Sequence, residues 1–176
     1  MSEAEPNFEA LLLTLVKHDV RFVLIGAFAA ALHGWNQPTE DVDITPDRDA
    51  LNLVRLAEAL EDLQAMVKRD DGTIDTDATF DDQLLRLQDR WLFATKFGDL
   101  DIVSDPAGFV GYATLLDGAT QEEIGSAKVT VASLDAVIQS KEAVGRAKDR
   151  AVLPALRRLL AEQRRARSPR ESNEPR

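Results

Sequence analysis

The sequence contains no cysteine, which excludes disulfide staples, thiolate metal sites and a cysteine nucleophile together. Aromatic residues make up only 6% of the chain, with one tyrosine and two tryptophans. Trp35 and Trp91 could stack on a base, although plain packing is the commoner use of such rings. No apolar run is long enough to cross a bilayer. The start, 1-MSEAEPNFEA, is acidic and places no basic segment ahead of an apolar one, unlike a secretory signal. These absences lead to the expectation of a cytoplasmic protein with no membrane partner.

Positive charge is scarce through most of the chain. Residues 1–140 hold 10 Lys and Arg against 26 Asp and Glu, a balance of −16, whereas residues 141–176 hold 11 against 5, a balance of +6. The basic end is compatible with phosphate contacts, and equally with a solvated helix face. At 176 residues, 44% hydrophobic and 30% charged, the chain suits one globular domain with a real core, or one domain plus a small helical addition.

Periodicity supplies the elements. Asn7 is placed to cap a helix over 8–18, with Phe8, Leu11, Leu12, Leu15 and Val16 at helical spacing. The run 21-RFVLIG reads as a central strand, and residues 27–33 as a short helix closed by Gly34. After the loop 35-WNQPT comes a strand, 40-EDVDI. Thr45 as N-cap and Pro46 at N1 predict a helix to about 64, with Leu51, Val54, Leu60 and Leu63 on its buried side.

Residues 65–103 read as a strand meander ending in 91-WLFATKF and 99-DLDIV around a Gly98-Asp99 turn. A looser stretch follows over 106–126, then a strand 127-AKVTV. Ser133 caps a helix over 134–146, and a last helix covers 149–166. The mixture predicts an α/β (α+β) domain, a mixed sheet flanked by helices and followed by C-terminal helices. The expected division is a core over 1–132, a helical segment over 133–166 packed on it, and a disordered polar tail over 167–176.

The chemistry concentrates in 22-FVLIGAFAAALHGWNQPTEDVDI-44. Strand residues two apart share a face, so Asp41 and Asp43 project together while Val42 and Ile44 point into the core. Neighbouring carboxylates repel unless a cation lies between them, and a hard cation such as Mg²⁺ prefers oxygen ligands. Asp101, in 99-DLDIV, repeats the pattern; if its strand neighbours 40–44, three carboxylates converge and can hold two metals. Solvated carboxylates at strand ends are the plain alternative. Gly26, ending a strand before a helix, and the small Ala27 would present backbone N–H groups to a phosphate; ordinary turn geometry also uses glycine there. His33 reads as a helix-end residue.

The order strand, Gly-Ala, helix, His-Gly, loop, Thr-x-Asp-x-Asp resembles the DNA polymerase β-type nucleotidyltransferases. More narrowly, 23-VLIGAFAAALHG, 39-TEDVDI and 140-SKEAVGRAKDRAVLPAL look like the small bacterial nucleotidyltransferases of the AbiEii/MenT toxin type. The resemblance implies a polymerase β-type fold and transfer of a nucleoside monophosphate from an NTP to an acceptor, such as the 3′ end of tRNA. A toxin role opposed by a cognate antitoxin goes with it. It further implies Asp41, Asp43 and Asp101 as ligands of a two-Mg²⁺ site, with Asp101 alternatively the general base.

Lys141 would neutralise triphosphate charge. Gly26, Ala27, Thr39, Arg146, Lys148 and Asp149 would help hold the nucleotide, with Asp149 orienting Lys141 or Arg146. The basic segment 157–170 would help hold RNA. Transfer to a small molecule or protein side chain, or a catalytically degenerate binding module, are the alternative readings. The chain departs from the pattern at Gln37, where relatives carry arginine, and at Ala27, where the better-known active members carry serine.

Overall fold

The computed structural model describes residues 5–167. In chain order these form α1 (Phe8–Lys17), β1 (Phe22–Ile25), α2 (Gly26–Leu32), β2 (Asp41–Pro46) and α3 (Ala50–Asp62). Next come β3 (Met66–Lys68), β4 (Ile74–Asp75), α4 (Asp82–Arg86), β5 (Arg90–Thr95) and β6 (Gly98–Val103). Last are α5 (Gly111–Leu115), β7 (Thr120–Ile124), β8 (Ala127–Val131), α6 (Leu134–Val144) and α7 (Ala147–Arg167).

The strands make one eight-stranded mixed sheet in the order β4-β3-β5-β6-β2-β1-β8-β7. β2 runs parallel to β6 and β1 to β8, while the remaining neighbours are antiparallel. The expected mixed sheet flanked by helices is therefore what forms. Alternation sorts its two faces. Leu24, Val42, Ile44, Phe93, Leu100, Ile102 and Val131 point to one side and join Leu11, Leu12, Leu15, Leu53, Leu56 and Leu60 of α1 and α3 in the main core. Trp91 belongs to this buried side and stacks on Phe93 at 6.0 Å. The opposite face carries Val23 and Ile25, covered by α5 through Leu115 and Tyr112, and then the acidic residues of β2 and β6.

α6 and α7 add Leu134, Val137, Ile138, Leu153 and Leu156 to the main core. Gly145, in the left-handed region at φ +65, ends α6 and lets the chain turn into α7. Three arginines of α7 bind its surroundings: Arg157 pairs with Glu142 at 2.5 Å, Arg164 with Asp135 at 2.5 Å, and Arg150 donates to the Gly145 carbonyl. Part of the basic end thus fastens α7 to α6.

Several expected boundaries move. Thr45 and Pro46 do not start a helix; they extend β2, where Thr45 is fully buried and its Oγ1 donates to Val103 O at 2.7 Å. Asp49 caps α3 instead, accepting from Leu51 N and Asn52 N. The helix phase shifts with it, so Leu51 is 57% exposed and Val54 38%, while Leu53, Leu56 and Leu60 face inward. The β5–β6 turn falls on Lys96 and Phe97, with Thr95 paired to Gly98.

A short helix, α4, interrupts the meander, and the looser stretch contains α5 and β7. The last helix starts two residues earlier than its pattern indicates and runs to Arg167; residues 168–176 of the expected tail lie outside the described residues. Among the described residues no helix is long and apolar enough to cross a membrane.

Asn52 joins α3 to the start of β1 and the end of β2. Fully buried, it accepts from Arg21 N at 2.7 Å and donates to Arg21 O and Asp47 O at 2.9 and 2.7 Å. Asn52→Ala removes three hydrogen bonds to backbone groups, of which Arg21 O alone keeps a second partner, Asp47 N at 3.0 Å, among the described residues. The substitution is expected to destabilise the fold by about 2–4 kcal/mol. Urea denaturation checks this; a loss within ~0.5 kcal/mol contradicts it.

Candidate active site

In-register pairing builds the acidic centre. β2 and β6 place Asp41 beside Asp99 and Asp43 beside Asp101, and all four lie on the face away from the main core. Ligand oxygens of Asp41, Asp43 and Asp101 lie within 4.8 Å of one another. The conditional expectation that 99–103 neighbours 40–44 is met, and the carboxylates meet as it required. Asp99, which 99-DLDIV offers as readily as Asp101, was not singled out from the sequence; Lys68 of β3 holds it at 2.5 Å. Arg90 at the start of β5, also unanticipated, donates from Nη2 to Asp101 Oδ2 at 3.2 Å. Neither cation carries a sequence motif. Both reach the centre through long-range strand pairing.

Burial and crowding act on these acids. Asp43 is pushed up to about 7, first by burial and then by Asp41 and Asp101, against the opposing charges of Lys141 and Arg90. Asp41 is raised by burial and by Asp99 and Glu40. Asp101 is raised by burial, which the Arg90 hydrogen bond opposes. Carboxylates held above their ordinary range by desolvation and mutual repulsion are what a bound cation relieves. The donor set, all carboxylate oxygen, fits a hard divalent ion.

Gly26 fixes the back of the centre. It lies at φ +70, and a Cβ built there would stand 2.1 Å from Asp43 Oδ2. Glycine is required twice over, for its backbone and for the approach of that carboxylate. β1 pairs with β2 so that Ile25 opposes Asp43, which brings the next residue, Gly26, against the same side chain.

A cleft of about 430 Å³ opens over this face. Gly26, Ala27, Asp41, Asp43, Arg90 and Asp101 line one part of it, and Lys141, Arg146, Lys148 and Asp149 another. Asp149, in the first turn of α7 and 3% exposed, accepts from Lys141 Nζ at 3.2 Å and from Arg146 Nε at 2.9 Å. Burial alone would raise its pKa, but these two hydrogen bonds win and hold it below the ordinary carboxylate range. It orients both cations, where the sequence reading had offered one or the other. The charge of Lys148 reaches Asp41. Val103, Leu115, Ala132, Ala136, Val137 and Val144 supply an apolar wall, with Ser140 beside it.

Of the sequence-derived site residues, only Thr39 stays out of the cleft lining. Its Oγ1 donates to Asp41 O at 2.8 Å, bracing the entry to β2. Gln37 is exposed and outside the lining. His33 closes α2, with Nε2 2.7 Å from Ala132 O, as a helix-end residue would.

No protein-family model matches the sequence, and comparison with curated proteins gives no match. Solved structures do. The chain is similar to a Thermotoga maritima protein assigned as a nucleotidyltransferase, with a TM-score of 0.54 and 18% identity over 88% of this chain and 91% of that one. It is also similar to the lincosamide antibiotic adenylyltransferase LnuA, solved with lincomycin bound, with a TM-score of 0.57 and 18% identity over 88% of this chain and 98% of that one. The fold is a nucleotidyltransferase fold.

Two measurements follow from the packing at Asp43. Gly26→Ala is expected to destabilise the protein by about 1–3 kcal/mol, because a side chain at positive φ meets a carboxylate; thermal unfolding within error of wild type contradicts this. The second is a pH dependence. Folded Asp43 keeps a proton that the unfolded chain, near the ordinary 3.8, releases, so the group's destabilising effect grows as pH rises from about 4 to about 7. Asp43→Asn is therefore expected to raise the melting temperature in EDTA, more at pH 8 than at pH 5. A pH-independent difference contradicts that assignment.

Proposed function

We propose that the protein is a Mg²⁺-dependent nucleotidyltransferase that moves a nucleoside monophosphate from an NTP to an acceptor hydroxyl. The observation that carries this reading is the convergence of Asp41, Asp43 and Asp101 in one cleft with Lys141, Arg146 and Lys148. Carboxylates alone repel a triphosphate, and cations alone do not assemble a hard-metal site. Together they fit a metal–nucleotide complex.

Asp41 and Asp43 would hold Mg²⁺, with Asp101 available to a second ion. Bound there, the metal supplies charge neutralisation on the transferring phosphoryl group. Lys141 and Arg146, held by Asp149, and Lys148 would take the triphosphate beside Gly26 and Ala27. The apolar wall formed by Val137, Leu115 and their neighbours excludes water from the base and sugar. The acceptor oxygen bonds to the α-phosphorus as the bond to the β-phosphate oxygen breaks, and pyrophosphate leaves. Where Asp101 acts as general base instead of holding a second ion, the acceptor's proton would pass to its Oδ1, since Oδ2 already accepts from Arg90.

The acceptor we favour is an RNA 3′ end, tRNA in particular, with the protein acting as the toxin of a toxin–antitoxin pair. The AbiEii/MenT-like motifs and the basic α7 support this. A small-molecule acceptor is the second reading, favoured by the shape shared with a lincosamide adenylyltransferase.

Incubation with each radiolabelled NTP, Mg²⁺ and either total RNA or a panel of hydroxyl-bearing small molecules tests both. Wild type is expected to label RNA, and Asp41→Ala to lose at least about 10³-fold of that activity. Labelling only of small molecules would move the acceptor to the second reading. Transfer to nothing, with no NTP-dependent rise in melting temperature, would leave a binding module.

A further inference from the structure

Arg90 stands on the other flank of the acidic centre from the Lys141 cluster. In β5 Arg90 lies two residues before Leu92, the partner of Asp101, so it reaches that carboxylate diagonally from the outboard side of β6. Asp101 lies beside Asp43, and Gly26 follows the end of β1 on the other side of β2. Lys141, Arg146 and Lys148 come from the helical segment that follows β8, beyond β1. Arg90 is 56% exposed, and it lines the cleft. Its Nη2 reaches Asp101, while among the described residues its Nε and Nη1 have no hydrogen-bond partner. A guanidinium held at one corner with the rest of its fork open is suited to gripping a phosphate.

In-line displacement assigns the flank. The attacking and leaving oxygens lie on opposite sides of the α-phosphorus. With pyrophosphate drawn toward Lys141, Arg146 and Lys148, the acceptor enters over Asp101, where Arg90 waits. An anionic acceptor meets four carboxylates there, Asp41, Asp43, Asp99 and Asp101. It needs a cation that an uncharged acceptor does not.

We infer that Arg90 is an acceptor-binding residue that grips a phosphate next to the attacking hydroxyl, so that the acceptor is a phosphate-bearing molecule such as an RNA 3′ end. This rests on the nucleotidyl-transfer reading. In an RNA the phosphate is the last phosphodiester before the 3′-hydroxyl. Arg90 takes it with Nε and Nη1 while Nη2 keeps Asp101 in place.

The test compares a short RNA carrying an ordinary terminal linkage with one whose last phosphodiester is an uncharged methylphosphonate. Loss of a charge-assisted contact is expected to raise wild-type acceptor KM about tenfold for the methylphosphonate. Arg90→Gln raises KM about as much on the ordinary RNA, and the methylphosphonate then adds nothing, the signature of a shared contact. Arg90→Lys, which keeps the charge and loses the fork, falls between. NTP affinity, read separately by thermal shift, stays within about twofold, since Arg90 lies on the other flank.

A phosphorylated sugar set against its unphosphorylated parent shows whether a small phosphate serves as well as RNA. Three results overturn the inference: Arg90→Gln lowering kcat with acceptor KM unchanged, equal transfer to charged and uncharged acceptors, or transfer to uncharged ones alone. In each of these cases nucleotidyl transfer itself stands. If wild type neither binds NTP nor transfers, the transfer reading fails, and the inference falls with it.

Discussion

Repulsion among carboxylates is the constraint on which the rest of this site depends. Four aspartates on two paired strands cannot share a partly buried face as free anions at little cost. The surrounding structure manages each one separately. Lys68 takes Asp99 and Arg90 takes one oxygen of Asp101, while Asp43 lies against a glycine with its charge suppressed by burial. Among the described residues, Asp41 and Asp43 are left as the pair without a side-chain cation in hydrogen-bond contact, and they face the cleft. The protein thus carries a charge imbalance at one point that a divalent ion would relieve.

The same logic explains the far side of the cleft. Lys141, on α6, and Arg146, in the link to α7, would repel each other without Asp149 between them. That aspartate is buried and ionised, and its position depends on Gly145 turning the chain from one helix into the next. Arg157–Glu142 and Arg164–Asp135 then hold the helices together. The basic end is therefore divided between fixing the architecture and offering charge to a ligand. This is why the net balance of that segment overstates the cation available to a ligand.

Much of this was legible in the sequence because it is local. The period-2 alternation of 40-EDVDI and 99-DLDIV announced which residues share a face, and Gly26 and Gly34 bracketed a short helix between strands. Lys141, Arg146 and Asp149 fall within nine residues, so their meeting needed only one helix turn and one break. What stayed hidden was long-range. Arg90 and Lys68 reach the aspartates only because β5 and β3 lie outboard of β6, a pairing that no local pattern dictates. Thr45-Pro46 misled for a related reason: two good helix-start residues were overridden by a buried hydroxyl bonded across the sheet to Val103. The Thr39 hydroxyl donates to the Asp41 carbonyl and so braces the loop that leads into β2.

The most direct measurement is crystallographic location of the metal, using Mn²⁺ in place of Mg²⁺ with a non-hydrolysable NTP and anomalous scattering. The expected result is a peak about 2 Å from carboxylate oxygens of Asp41 and Asp43, with the triphosphate between that ion and Lys141. A nucleotide bound elsewhere, or bound in the cleft with no metal against those aspartates, would contradict the assignment of this acidic centre.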